Sequence, residues 1–405
     1  VRLAYFVKPH LGGTYTLFRQ LRDGLHPHGI DVEWMGLTSD GVAPLLSDMS
    51  HSGFLVHTES CDSERDQARV MMTALREHAF DGVFVNVLAD KVQMNLVRYL
   101  PSDMLRMMIV HNITPGTYAA ARSLRDHVHA TVGVSERCRR DLVARHGFDA
   151  ARTHAIPNAI EAGPHAPAAR GGAAERPLRL IYLGRVEDSS KGVFWLADIM
   201  RTVTAPVTLT VAGAGPDVER LAKMLRPFGE RVRLLGPIPP DKVNAVFAAH
   251  DVLVMPSRFE GFGLTILEAM AAGCIPLVSQ ISGVTDTIVE NGISGLLFPV
   301  GDWRRAAREI DWMARDPDMV GALSANARER VLEDFGLPRM ASAYARLVRT
   351  LERERPAVAP PLALRDWSLP AGMGPGMRRY VPAPVKNWLR VARERFSPRI
   401  SAGSV

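Results

Sequence analysis

The sequence predicts two doubly wound α/β domains followed by a basic tail. Short apolar runs alternate with amphipathic stretches along most of the chain, the pattern of parallel strands flanked by helices. A length of 405 residues exceeds what one ordinary hydrophobic core supports. The alternation also stops at a stretch rich in Ala, Gly and Pro, residues 161–177, and then restarts. The expected division is a first domain at 1–165, a linker at 166–177, a second domain at 178–355 and a tail at 356–405.

In the first domain the strand candidates are 3–7, 32–35, 53–56, 82–88, 107–110, 130–134 and 154–156, and the helices between them include 14–25, 64–78 and 136–145. In the second the strands fall at 179–183, 207–212, 232–235, 252–255, 275–278 and 295–298. Helices fill the gaps and continue at 317–333 and 338–354. After a Pro-rich break at 356–361 the tail holds one helical patch near 385–396. There Val385, Trp388, Leu389, Ala392 and Phe396 share a helical face, and Lys386, Arg390 and Arg393 lie largely elsewhere. Such a helix either packs back on the first domain or rests on an anionic membrane surface.

Composition narrows the function class. Hydrophobic residues at 47% and charged residues at 23% are ordinary for a globular protein and exclude disorder as the dominant state. The cysteines Cys61, Cys138 and Cys274 are far apart and odd in number, which argues against a disulfide framework and for a reducing compartment. No Cys-x-x-Cys or His/Cys cluster has zinc-site spacing. No leader is visible and no apolar run approaches the roughly 18 residues of a membrane span, so the expected address is cytoplasmic, with peripheral membrane contact open through the tail. After Arg355, eight basic residues face two acidic ones, so the net charge of +6 belongs to the tail alone. A nucleic-acid reader carries its basic face on the folded body, and nucleic acid is not an expected partner.

The stretch Phe259-Glu260-Gly261-Phe262-Gly263-Leu264-Thr265-Ile266-Leu267-Glu268 carries the most chemistry. It follows a buried strand, and its glycines let the backbone turn sharply into a helix. The first amides of that helix are unpaired and suit an anionic ligand such as a diphosphate. Glu260 sits just outside the helix start and Glu268 a turn or more inside it, so both can face the cleft beyond the strands' carboxyl ends. Gly184-Arg185, then Lys191-Gly192, follow another strand of the same sheet, where two cations can hold a diphosphate. In the first domain Gly12-Gly13 turns from strand to helix, and His111 stands at a strand end. Gly213-Ala214-Gly215-Pro216 imitates a dinucleotide fingerprint but lacks the third glycine and reads as a turn. Asp316-Pro317-Asp318 imitates a metal motif but reads as a helix start.

Together these residues resemble the retaining glycosyltransferases of the GT-B fold, family four. Glu260-x7-Glu268 matches the family's paired-glutamate motif, and Gly184-Arg185 with Lys191-Gly192 matches its diphosphate-binding pair. Val134-Ser135-Glu136, Ile156-Pro157-Asn158 and Gly12-Gly13 stand in the family's usual order. The family's Gly-Gly-x-x-Glu is replaced here by Ser282-Gly283-Val284-Thr285-Asp286. The resemblance implies two Rossmann-like domains facing across a cleft, acceptor on the first and donor on the second. It implies a nucleoside-diphosphate sugar donor and leaves the acceptor open, with a lipid-linked molecule or a growing glycan as the options. Retention at the anomeric carbon follows, with no metal and no other cofactor. By the same resemblance Glu268 holds the ribose and the loop at Pro237 and Ile238 approaches the base. Arg185, Lys191 and the amides of Gly261, Phe262, Gly263, Leu264 and Thr265 take the diphosphate, with Gly12 and Gly13 close to the donor. Glu260 holds sugar hydroxyls, and His111 reaches across from the first domain. An epimerase or phosphorylase of the same fold, a non-catalytic sugar-nucleotide-binding protein and a nicotinamide-dependent dehydrogenase remain the alternatives.

Overall fold

A computed structural model describes residues 1–10, 12–38, 52–87, 89–161, 176–374 and 380–396, apart from the side chains of Ala383 and Phe396. Most of the expected linker, and Leu88 at the end of one predicted strand, lie outside these residues. The chain forms two compact units, one of Val1–Ala159 with Leu337–Arg379, the other of Ile160–Gly336 with Tyr380–Val405.

In the first unit, β1 (Arg2–Phe6), β2 (Asp31–Thr38), β3 (Gly53–His57), β4 (Gly82–Asn86), β5 (Leu105–Val110), β6 (Ala130–Gly133) and β7 (Thr153–Ala155) form one parallel sheet. Its order is β3-β2-β1-β4-β5-β6-β7. Every residue of β4 and β5 is buried, as in a central strand covered by helices on both faces. Strand order reverses between β1 and β4, and the carboxyl ends of those strands open the crevice where such sheets bind ligands.

The second unit repeats the architecture with β8 (Leu178–Leu183), β9 (Val207–Ala212), β10 (Val232–Gly236), β11 (Val252–Met255), β12 (Ile275–Gln280) and β13 (Leu296–Pro299). The order β10-β9-β8-β11-β12-β13 reverses between β8 and β11. Leu180, Tyr182, Leu209, Val252, Val254, Leu277 and Phe298 build the core with Ile310 and Met313 from a flanking helix. Asp316 accepts from the Met319 amide at 3.0 Å and caps the helix Pro317–Asp334, so the Asp-x-Asp stretch starts a helix.

Two features differ from the expected division. The helix Leu337–Arg353, expected to end the second domain, belongs to the first unit. It runs against the helix Gly13–Leu25, where a Cβ on Gly24 would lie 2.8 Å from that of Ala341, and buries Tyr344 with its ring 5.9 Å from Phe84. Its apolar period marks a buried face but not which core receives it.

The tail is also divided. Its first part packs on the first unit, where the Ala359 amide donates to Asp126 O at 2.7 Å and the Trp367 ring lies 4.7 Å from Tyr99. The helix Ala383–Phe396 packs on the second unit, against the expectation that would place it on the first domain. Arg390 donates to Ser189 O, and Arg395 Nε donates to Val300 O at 2.9 Å.

Candidate active site

The loops after β8, β9 and β10 are zipped together at the carboxyl edge of the second sheet. Gly184 donates to Ala212 O at 3.0 Å, Val186 to Ala214 O at 2.8 Å and Gly213 to Gly236 O at 2.7 Å. A Cβ on Gly213 would stand 1.9 Å from Gly184 O, and one on Gly215 would stand 2.2 Å from Val186 O. The pseudo-fingerprint glycines therefore exist so that this turn can lie directly on the Gly184-Arg185 loop. Tyr182 Oη pins the Arg185 carbonyl at 2.6 Å, while the Arg185 side chain extends into solvent with Glu187 at 3.6 Å.

Lys191 ends the short helix Asp188–Lys191, closed by Gly192 at φ +61°. A side chain at Gly192 is excluded twice, by that φ and by Pro256 O at 2.3 Å from its Cβ position. Buried Arg258 ties this turn to the loop after β11, donating from Nη2 to Asp188 Oδ2 and from Nε to Asp188 O, both at 2.8 Å, with its guanidinium 3.9 Å from the Trp195 ring centroid. Lys191 Nζ thereby meets Glu260 Oε1 at 2.5 Å, and Ser257 Oγ donates to the same oxygen at 2.6 Å. Glu260 is buried and Lys191 a quarter exposed. An ammonium has three donors, so two remain for a ligand.

Gly263, at φ +114°, precedes the helix Leu264–Ala271; a Cβ there would meet Ile266 Cδ1 at 2.9 Å. The helix buries Ile266, Leu267, Ala269 and Met270 and leaves Leu264, Thr265 and Glu268 on its half-exposed side. Its first amides lie at the switch point beside Glu260. Burial pushes the Glu268 carboxyl above its ordinary value. Phe262 is buried 6.0 Å from the Phe335 ring, so its side chain serves packing and only its backbone remains for a ligand. Gly261 is likewise buried. Pro237 and Ile238 follow β10, which lies two strands from β8. At the usual strand spacing that is roughly 10 Å, within the length of a nucleotide. Asp286, the last residue of Ser282-Gly283-Val284-Thr285-Asp286, accepts from the Gly283 amide at 2.7 Å and serves its own turn.

The remaining candidates belong to the first unit. Gly12 caps the helix Gly13–Leu25 in an extended conformation, φ 172°. His111 follows β5, and its Nε2 lies 2.7 Å from Asn86 Oδ1. Asn86 Nδ2 donates to Phe6 O at 2.9 Å, so Oδ1 accepts and His111 carries its proton on Nε2. Burial lowers the imidazole pKa to about 4, which keeps it neutral near pH 7 with Nδ1 as an acceptor. Lys8, Thr14, Asn86, Asp90, Gln93 and His111 line a cavity of about 330 Å³ at the β1/β4 switch point. A larger hollow of about 540 Å³, lined by Asp81, Asp103, Glu352 and Arg355, opens at the amino edge of the sheet. Open α/β sheets bind at the carboxyl edge, and the smaller cavity is the candidate.

The structure thus gathers Arg185, Lys191, Glu260 and the start of the helix Leu264–Ala271 on one edge of the second sheet, and Gly12, Gly13 and His111 on one edge of the first. Sequence reasoning missed Ser257, Arg258 and Asp188, which set Lys191 against Glu260, and Asn86, which fixes the imidazole. Only Asn86, a polar residue ending an otherwise apolar strand, carried a signal of its own.

Residues 177–316 match the family model described as glycosyl transferases group 1. Over 233 residues the chain is 29% identical to the glycogen synthase of Mycobacterium tuberculosis, covering 56% of this chain and 53% of that protein. The chain thus spans about half the length of that relative. Among solved structures, Anabaena Alr3699/HepE in complex with UDP and glucose superimposes with a TM-score of 0.72 at 17% identity, covering 86% of this chain and 100% of that one. Sucrose-phosphate synthase from Thermosynechococcus elongatus does so with a TM-score of 0.72 at 20% identity, covering 87% and 99%. At such identities the likeness establishes the fold, two parallel-sheet Rossmann-like domains of the GT-B type. The chain accordingly has the GT-B fold, and its residues 177–316 match the glycosyl transferases group 1 model.

Proposed function

We propose that the chain is a retaining glycosyltransferase that moves a sugar from a nucleoside-diphosphate sugar to an acceptor hydroxyl, without a metal, in glycan or glycoconjugate biosynthesis. One observation carries the reading: Arg185, Lys191 and the unpaired amides after Gly263 share the switch-point edge of the second sheet with Glu260. The relative's name and the UDP and glucose of the solved neighbour support a nucleotide-sugar donor.

The diphosphate lies on the helix start, with Arg185 and Lys191 on its oxygens. Glu268 accepts from the ribose hydroxyls, and Pro237 and Ile238 flank the base. The bond from the anomeric carbon to the diphosphate breaks, and the electron pair leaves with the phosphate oxygen. That charge is met by groups already oriented, the arrangement worth most in a transition state. The acceptor oxygen bonds to the anomeric carbon on the face just vacated, and its proton passes to the departing phosphate oxygen. Glu260, held by Lys191 and Ser257, orients the sugar hydroxyls. The cavity around His111 takes hydroxyl-bearing substrate, with Nδ1 accepting a hydrogen bond.

The test is incubation with uridine, guanosine and adenosine diphosphate sugars in the presence of chelator and a mixed glycan and glycolipid acceptor preparation. The expected result is acceptor-dependent release of nucleoside diphosphate and a glycoside of unchanged anomeric configuration. Sugar interconversion without acceptor, phosphate-dependent cleavage, or binding without turnover would each replace this reading.

A further inference from the structure

The tail helix docks by the side opposite to the one its sequence marks as apolar. Arg390 places its guanidinium 4.5 Å from the Phe259 ring centroid and donates to Ser189 O. Arg395 Nε bonds Val300 O, and Val391 lies against Gly301, 3.4 Å from where that residue's Cβ would stand. The docked side carries Arg390 and Val391, both half-buried, with Arg395 bonded at its margin and still exposed. Trp388 is left 67% exposed, Val385 45% and Leu389 42%, and Tyr380 just ahead of the helix is 73% exposed. These make up half of the eight large exposed hydrophobic residues among the described residues, and three of them share one helix. Residues 385, 388 and 389 are helical neighbours, and exposed Arg393 continues their row.

We propose that this face is a contact surface for an anionic lipid bilayer. Val385, Trp388 and Leu389 enter the headgroup boundary, and Arg393 meets lipid phosphates. Charge decides between this occupant and a second copy of the chain. Apart from the docked Arg390, exposed Arg393 and Arg395 and half-exposed Lys386 outnumber the single carboxylate of Glu394. A self-paired patch would bring like charges together, whereas an anionic bilayer complements them. Trp and Tyr are also the side chains that favour a membrane–water boundary. No helix among the described residues is long and apolar enough to cross a membrane, so the contact is peripheral.

The experiment is flotation of the full chain with vesicles of phosphatidylcholine alone and of phosphatidylcholine with phosphatidylglycerol. The chain floats with the anionic vesicles, and added salt weakens the binding. Arg393→Glu lowers partitioning at least five-fold, roughly the weight of one cation near such a surface. Trp388→Ser with Leu389→Ser lowers it further, with an unchanged melting temperature because both side chains are already in solvent. Lys191→Ala binds vesicles like the parent chain, which separates this inference from the donor-site reading. Equal flotation of all variants, failure to float with either vesicle, or a dimer that the same double substitution dissolves would each overturn it.

Discussion

Replacing Lys191 with Ala perturbs chemistry and fold at once, and the two effects can be separated. On the proposed reading the lost ammonium stabilises the leaving diphosphate, a role worth roughly 2.7–4 kcal/mol, or about 10²–10³ in turnover. The same change removes the 2.5 Å ion pair from buried Glu260, which then keeps Ser257. Breaking a buried pair costs about 3–5 kcal/mol. Because the Lys191 side chain is a quarter exposed, water offsets part of that, and roughly 2–3 kcal/mol is expected. Glu260→Gln in the Lys191→Ala background removes the stranded charge. The double variant therefore regains much of the stability and none of the turnover. A double-mutant cycle by urea denaturation measures the coupling, expected to be at least about 1.5 kcal/mol. A coupling below about 0.5 kcal/mol, together with near-normal turnover of Lys191→Ala, would refute the placement of both residues.

Further outcomes follow from the same geometry. Burial raises the Glu268 pKa, so its ionised form destabilises the fold and its favourable contribution, present at acid pH, is lost as pH rises through the raised value. Glu268→Gln is therefore more stable than the parent near neutral pH, and the gain shrinks on acidification, as read by urea midpoints across pH; it also binds free nucleoside diphosphate more weakly. Glu260→Gln keeps nucleotide affinity and loses turnover, which calorimetry and kinetics distinguish. For His111 the folded pKa is depressed to about 4, so its contribution is full above the ordinary 6.5 and is lost as pH falls through 4. His111→Gln removes that acid dependence, up to roughly 3 kcal/mol between those limits. Asn86→Leu removes the acceptor that holds the Nε2 proton, so the ring loses its fixed tautomer and orientation, visible in the ring nitrogen shifts by NMR. If Arg185, Lys191 and the helix start supply the positive potential as proposed, turnover after chelation equals turnover with added magnesium.

Parallel strands announced themselves because each is a short apolar run bounded by polar turns, and every predicted strand is present within a few residues of its expected limits. The last helices were legible as helices but not in their assignment. Leu337–Arg353 turns its apolar stripe to the first unit, and Ala383–Phe396 docks through arginines where its pattern marked Trp388 and Leu389. Amphipathicity reports that a face exists, and packing partners decide which face is used. At the site, Glu260, Arg185 and Lys191 could be read because turn glycines bracket them in sequence. Arg258 and Asp188 could not, since they meet across 70 residues of chain and show only as ordinary charges.

The central claim is that the switch-point edge of the second sheet binds a nucleoside-diphosphate sugar. Calorimetric titration of the full chain, in chelator, with uridine, guanosine, adenosine, cytidine and thymidine diphosphate sugars tests it most directly. The account predicts one site per chain for one of these donors, with binding weakened by Arg185→Ala and by Glu268→Ala while the melting temperature of the free protein does not fall. Absence of binding by all five at millimolar concentration, or binding indifferent to both substitutions, would contradict it.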